Sequence, residues 1–399
     1  MSEYTINNKI SIIIEYVLIL FLIFDFYTEY SLFVEFNATY ISIALLSLVL
    51  FAKFKSKALI GRFLAIYLII IFIPLLGANN IQTFFLKYIV IVPMSMVLDS
   101  KYQTGRHNLL DVFSNVMIVL SSVSVILWIF GPLIGWLGYI PIPDFWTHNG
   151  DSIRIVESYY FLQFNTQSYI IPVLDNIEIP RNTGIFAEAP VYNLLLCISC
   201  GYELFYKQQK SSIRQLILVV TIITTFSTTG QLYLIMAGVL YALFYTKKQL
   251  LRRILILTSP ILIYIVYNLI NILYIDKQTT SSYEVRQSTM NNFISMYRQN
   301  VFVGKGFGYI NRNNTEEISN SIFQLLAEGG MYMFCIYAYI YVVGPFLLLL
   351  KRNHNLLCFL APLFLVVSLT IGVYKPFELF FIGVILSCIN KEKLIRKFL

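Results

Sequence analysis

The residues whose chemistry calls for explanation are a few cations and carboxylates set between long apolar runs. Arg181 opens the stretch Arg181-Asn182-Thr183-Gly184-Ile185-Phe186-Ala187-Glu188-Ala189-Pro190. A guanidinium presents a planar fork of donors that matches phosphate oxygens in pairs, more strongly where hydration is incomplete. An arginine snorkelling to a membrane interface satisfies the same position. Glu188 lies just before Pro190, a residue suited to the first turn of a helix. Its carboxylate is a candidate general base, or simply a charge that complements the helix dipole.

Further along, Ser281-Ser282-Tyr283-Glu284 is a capping box, and Val285, Thr289, Phe293, Met296 and Tyr297 follow at helical spacing. This predicts an amphipathic surface helix ending near Asn300, with Arg286 and Arg298 on it as further phosphate ligands or as a solvated face. Gly304-Lys305-Gly306-Phe307-Gly308 is a candidate nest, in which backbone amides and the Lys305 ammonium hold an anion. Asn320 suits a helix cap. Glu328, about two turns further on, places a charge inside an apolar run, where a polar pocket is expected to receive it. No spacing of His, Cys or carboxylates suggests a catalytic metal, and an Asp-x-Asp pair for a metal-bound nucleotide sugar is missing.

The elements that must position these residues are set by hydrophobicity. The chain has 399 residues, 58% of them hydrophobic and 13% charged, with a mean hydropathy of +0.71. Soluble domains run at about 45–50% apolar and about 25% charged, so a water-soluble core is excluded. The net charge of +8 comes in short groups between apolar runs, which argues against nucleic acid as a partner. Candidate spans are 10–26, 38–52, 60–76, 81–98, 109–137, 189–206, 213–227, 230–246, 251–273, 321–350, 355–373 and 376–390, each able to cross about 30 Å of hydrocarbon. With the N-terminus in the cytoplasm, 20 of the 29 basic residues fall in inside segments, as short basic loops should. The expected fold is therefore an all-α polytopic membrane protein with about twelve transmembrane helices and both termini cytoplasmic. It forms a single integral membrane domain over residues 1–399.

Two outer segments, 138–188 and 274–320, are too long to be simple connectors. Each is expected to contain short helices, and the second the amphipathic one. Tyr139, Pro141, Pro143, Phe145, Trp146, Tyr159, Tyr160 and Phe161 mark the first as ordered.

Taken in order, Arg181-x-x-Gly184-x-Phe186-x-Glu188, Arg286, Gly304-x-Gly306-x-Gly308, and Asn320 with Glu328-Gly329 resemble the O-antigen polymerase and O-antigen ligase superfamily of bacteria. The likeness covers roughly residues 181–335. It implies a metal-independent, GT-C-like glycosyltransferase without cofactors, working on undecaprenyl-pyrophosphate-linked oligosaccharides at the outer face of the cytoplasmic membrane. It also implies a separate chain-length regulator protein and contact with membrane lipid. Carried over by motif, Arg181 and Arg286 hold the pyrophosphate; beside them Glu188 is the preferred base, and Gly304, Lys305, Gly306, Arg298, Asn320 and Glu328 are the candidate substrate-binding residues. Ligases of the superfamily carry a His-Asn pair where this chain has Ser319-Asn320. That difference favours a Wzy-type polymerase over a ligase. A lipid-linked oligosaccharide flippase or other transporter is the alternative from another class, but transporters place their unusual residues at the membrane midplane.

Overall fold

The computed structural model describes residues 2–33, 41–47, 90–100, 109–143, 155–171, 177–245, 281–306, 309–312, 321–349, 354–370 and 375–395. Most of them are helical. Among the described residues three helices are long and apolar enough to cross a membrane: Leu109–Leu133, Thr228–Tyr245 and Ile322–Leu347. Shorter apolar helices cover Ser212–Thr224, Asn355–Leu369 and Pro376–Ile389. The expected spans 60–76 and 251–273 lie outside the described residues. The chain divides into two compact units, one of the crossings falling between Gln231 and Leu232.

The first unit takes residues 1–72, 81–231 and 374–399. It contains α1 (Ser2–Asp25), α2 (Glu29–Phe33), α3 (Val92–Ser100) and α4 (Leu109–Trp128), which runs on through a π-helical turn at Ile129–Leu133. After five short strands come α5 (Ala189–Gly201) with a π turn at Tyr202–Tyr206, α6 (Ser212–Thr224) and the start of α7 (Thr228–Tyr245). The last helix, here called αC (Pro376–Ile395), returns to this unit. Phe377, Leu379, Phe380, Phe381 and Ile382 are all buried. A helix apolar on every side has to sit inside the fold, and αC does so against α3, where Gly383 approaches the carbonyl of Val92 so closely that a Cβ would lie 2.5 Å from it.

The segment after α4 departs from the expectation of short helices, because its described residues between 140 and 180 form short strands and turns. β1 (Ile140–Pro143), β2 (Ile155–Tyr159) and β3 (Gln163–Asn165) make an antiparallel sheet in that order, with Ile140 opposite Ser158 and Tyr159 opposite Gln163. β4 (Ser168–Ile171) and β5 (Ile177–Pro180) form a hairpin with Ser168 opposite Pro180. The local reason is composition. β-branched and aromatic residues pack well on a pleated surface, and the prolines of Ile140-Pro141-Ile142-Pro143 forbid a helix interior but are tolerated at a sheet edge. Between β2 and β3, Tyr160 and Phe161 both take left-handed backbone angles, φ 53° and 59°. Leu162 N–H closes the turn on Tyr159 O at 3.1 Å.

The second unit takes residues 73–80 and 232–373. Besides the rest of α7 it contains α8 (Ser281–Gln299), α9 (Tyr309–Arg312) and α10 (Ser321–Ala338). A π turn at Tyr339–Val343, then α11 (Gly344–Leu349) and α12 (Asn355–Leu369), complete it. α8 starts at the capping box, and its Phe293 packs with Ile310 of α9 and Ala327 of α10, with Met296 and Phe323 against them. α10 is kinked at Gly330, whose φ of 61° and ψ of −165° lie outside the helical range.

Candidate functional site

The hairpin register builds the site around Arg181. Because Ser168 pairs with Pro180, the next residues outward are Gln167 and Arg181, and Arg181 N–H donates to Gln167 O at 2.9 Å. That places the Gln167 side chain beside the guanidinium, and Nη1 donates to Gln167 Oε1 at 3.1 Å. Nε donates to Thr225 O, just beyond α6, at 2.9 Å. These two bonds fix the plane of the guanidinium, and both accepting oxygens are neutral.

From Asn182 to Ala187 the chain is fully buried and stitched on three sides. Asn182 N–H reaches Thr224 O at 3.0 Å and Phe164 N–H reaches Gly184 O at 2.9 Å. Glu29 N–H reaches Ile185 O, and Ala187 N–H reaches Tyr27 O, each at 3.1 Å. The Phe186 ring stacks on Tyr192 at 5.0 Å. Buried backbone must find partners within the fold, and here those partners come from β3, α6 and the turn after α1. A half-exposed charge stands at each end of this buried strip, Arg181 before it and Glu188 after it.

Glu188 is the N-cap residue of α5, with extended backbone, and its carboxylate does not bond the cap amides. Gln167 supplies an acceptor there instead, taking Ala189 N–H on Oε1 at 3.3 Å. One side-chain amide oxygen thus joins the guanidinium to the start of α5, where the helix dipole presents partial positive charge. Beyond Glu188, Tyr27 holds a left-handed φ of 53°, and the Lys375 ammonium rests over its ring at 4.3 Å. Burial first, then the negative charges of Glu378, Glu188 and Asp25, push the Tyr27 phenol above its ordinary range. Burial lowers the Lys375 ammonium, and Asp25 counteracts this in part. Gln167, Tyr27 and Lys375 escape a reading by motif, since each is neutral, locally unremarkable or distant in sequence. The one available signal for Gln167 was the hairpin pairing.

A second polar cluster lies at the far end of α5. Glu203, fully buried on the π turn, takes on one oxygen Ser114 Oγ at 2.7 Å, Lys207 Nζ at 3.0 Å and Arg214 Nη2 at 2.6 Å. Lys207 also pairs with Asp111 at 3.3 Å, and Arg214 Nη2 reaches Asn115 Oδ1 at 2.7 Å.

The remaining expected residues belong to the second unit. Gly304, Lys305 and Gly306 lie against the α10 kink, but their amides do not form the expected anion nest. Gly304 N–H bonds Asn300 O at 2.8 Å, Lys305 N–H bonds Ala327 O at 2.8 Å and Gly306 N–H bonds Glu328 O at 2.9 Å. The cause is Gly330. Its left-handed turn opens α10, and Met331 and Tyr332 N–H turn to Val301 O and Phe302 O, so the loop is laced to the helix. A Cβ on Gly330 would come within 2.5 Å of Phe302 O. Glu328 is buried, and its Oε1 accepts Ile310 N–H at 3.0 Å, bracing α9. Arg298 is exposed in the last turn of α8. Arg286 lies on α8 with its side chain outside the described residues, and Asn320 lies outside them altogether. Among the described residues no group of three or more His, Cys, Asp or Glu is arranged to hold a metal ion.

No family model, curated protein or solved structure matches the chain.

Proposed function

We propose that this chain is a Wzy-type polysaccharide polymerase, a metal-independent GT-C-class glycosyltransferase with twelve spans and both termini cytoplasmic. It joins undecaprenyl-pyrophosphate-linked oligosaccharide repeat units into an O-antigen or capsular polymer at the outer face of the cytoplasmic membrane. The observation that carries the reading is the buried strip Asn182–Ala187 with Arg181 planted at one end and Glu188 at the other. Side chains on a backbone this firmly tied keep their positions during reaction, which is what electrostatic preorganisation requires.

In the reaction the acceptor sugar hydroxyl attacks the anomeric carbon of the donor. A new C–O bond forms as the bond to the diphosphate oxygen breaks, and that electron pair leaves with undecaprenyl diphosphate. The hydroxyl proton passes to Glu188. Negative charge grows on the departing oxygen, so a guanidinium already aimed by Gln167 and Thr225 stabilises the transition state more than the ground state.

The test is polymer length in cells carrying Arg181→Ala or Arg181→Lys, with membrane insertion checked by immunoblot. The alanine variant is expected to leave acceptors with a single repeat. The lysine variant, which keeps the charge but loses the planar fork, should give short chains. Full-length polymer from Arg181→Ala would remove this residue from the reaction, and polymer left on the carrier lipid would point to the ligase reaction instead.

A further inference from the structure

From Val112 to Pro143 the chain has no Asp, Glu, Lys or Arg. The exposed side chains along this stretch form one continuous series. On α4 and its π turn, Val119, Ile126, Phe130 and Leu133 are exposed large apolar residues, recurring at intervals of seven, four and three that keep them on one face of a helix. That helix, Leu109–Leu133, is the most hydrophobic of the three candidate spans. The series does not stop where the helix does. Ile134, Trp136, Tyr139 and Ile140 continue it, with Trp136 74% exposed.

Trp136 is not loose in this position. Its ring stacks on Phe130 at 5.6 Å, and its amide donates to Phe130 O at 2.9 Å. The sheet is joined on directly, since the Tyr159 ring lies against Gly131 and Tyr139. At the far tip, Tyr160 is 64% exposed, and Phe161 and Leu162 are exposed as well.

The tip is the informative part. A turn whose two central φ angles are both positive belongs to Asn-Gly or Gly-Gly, because a side chain larger than these strains the left-handed region. Tyr160 and Phe161 occupy both central positions regardless. Turn geometry opposes them, and although the Tyr30 hydroxyl braces the turn by donating to Phe161 O, both rings stay exposed and available to a surface outside the chain. Amphipathic aromatic rings are favoured at the headgroup level of a bilayer, and an uncharged aromatic and aliphatic surface continuous with a membrane-length apolar helix matches that region.

We infer that the loop after α4 and the β2–β3 turn together form an interfacial plate, with Trp136, Tyr139, Tyr160 and Phe161 seated in the lipid headgroup layer. The partner is the bilayer surface itself. The loop after α4 and the β2–β3 turn then lie along the membrane, not as a lid in water, and they hold β3 and the strip that follows Arg181 at a set height.

The full-length protein, reconstituted in vesicles of phosphatidylcholine and phosphatidylglycerol, tests this by tryptophan fluorescence. Subtracting the signal of Trp136→Phe isolates Trp136 from Trp128 and Trp146. Lipid brominated in the upper acyl chain should quench most of the Trp136 emission, and aqueous iodide little of it. The double variant Tyr160→Asn, Phe161→Gly supplies the favoured turn residues, so it should fold at least as well while Trp136 becomes more open to iodide. Iodide quenching without bromolipid quenching in the unaltered protein would overturn the inference, and is what a sugar-stacking surface would give. Protection from both quenchers would also overturn it, pointing to a protein partner. Bromolipid quenching unchanged in the double variant would remove the tip from the plate.

Discussion

The two ends of α5 carry polar clusters roughly 22 Å apart, taking about 1.5 Å of rise per residue from Glu188 to Glu203, and the two are built differently. At the Glu203 end the cations meet carboxylates. Glu203 and Asp111 answer Arg214 and Lys207, and a buried carboxylate holds helices α4, α5 and α6 together. At the Glu188 end the oxygens that orient Arg181 are neutral, an amide side chain and a main-chain carbonyl. Two neutral oxygens held by the backbone fold fix the plane of the guanidinium. The difference teaches that one cluster is a clasp and the other a placement. Counting charges would rank them alike.

The sharpest way to break this contrast is Glu203→Leu. Removing the one carboxylate that holds two cations should cost about 3–5 kcal/mol, the usual penalty for stranding a buried charge. Thermal unfolding in detergent should show a large loss of stability, and an unaltered midpoint would mean that Glu203 is no clasp.

Arg181→Ala should do the reverse. We expect chain extension in membranes to fall by roughly 10²-fold or more, the scale seen when one preorganised donor is lost, with stability reduced by no more than about 1–2 kcal/mol. A variant that unfolds as readily as Glu203→Leu would make the two ends equivalent and end the comparison.

Gln167→Ala sharpens it further. The guanidinium keeps Thr225 O but loses its second anchor, so the rate should fall roughly 10-fold, about 1.4 kcal/mol in the barrier. Gln167→Glu places a negative charge on the same anchor. Activity in Gln167→Glu below that of Gln167→Ala would show that neutrality of the anchor matters, and the opposite order would show that only its geometry does.

The smallest effect concerns pH. An ordinary tyrosine ionises near pH 10, while Tyr27 in the folded chain is pushed higher. Above pH 10 the unfolded chain therefore binds fewer protons at this residue than the folded one, and stability falls as pH rises. Tyr27→Phe should flatten that fall, which unfolding midpoints compared between pH 9 and pH 11 would reveal.

Much of the site was legible as types and order. Arg181 and Glu188 stand out because a charge beside apolar runs is costly and so needs a reason. The start of α8 was legible because a capping box is a local motif. The strands at 140–180 were not, since short mixed runs of proline, isoleucine and tyrosine carry no helical or membrane period, and pairing with a distant partner decides their state. The glycine loop misled for a related reason. Glycine spacing reports freedom of the backbone, and only the kink at Gly330 determined that those amides would face carbonyls.

The amino-acid order alone determined that this chain is apolar enough for a membrane, where several of its helices begin and which few charges need explanation. These follow from transfer free energies and local hydrogen bonding, which depend on near neighbours. The tertiary structure decided the rest: that Gln167 would aim Arg181, that Tyr27 and Lys375 would gather beside Glu188, and that Glu203 would bind two cations. Those contacts join residues far apart in the chain, and their energies exist only once packing has excluded water and fixed the distances.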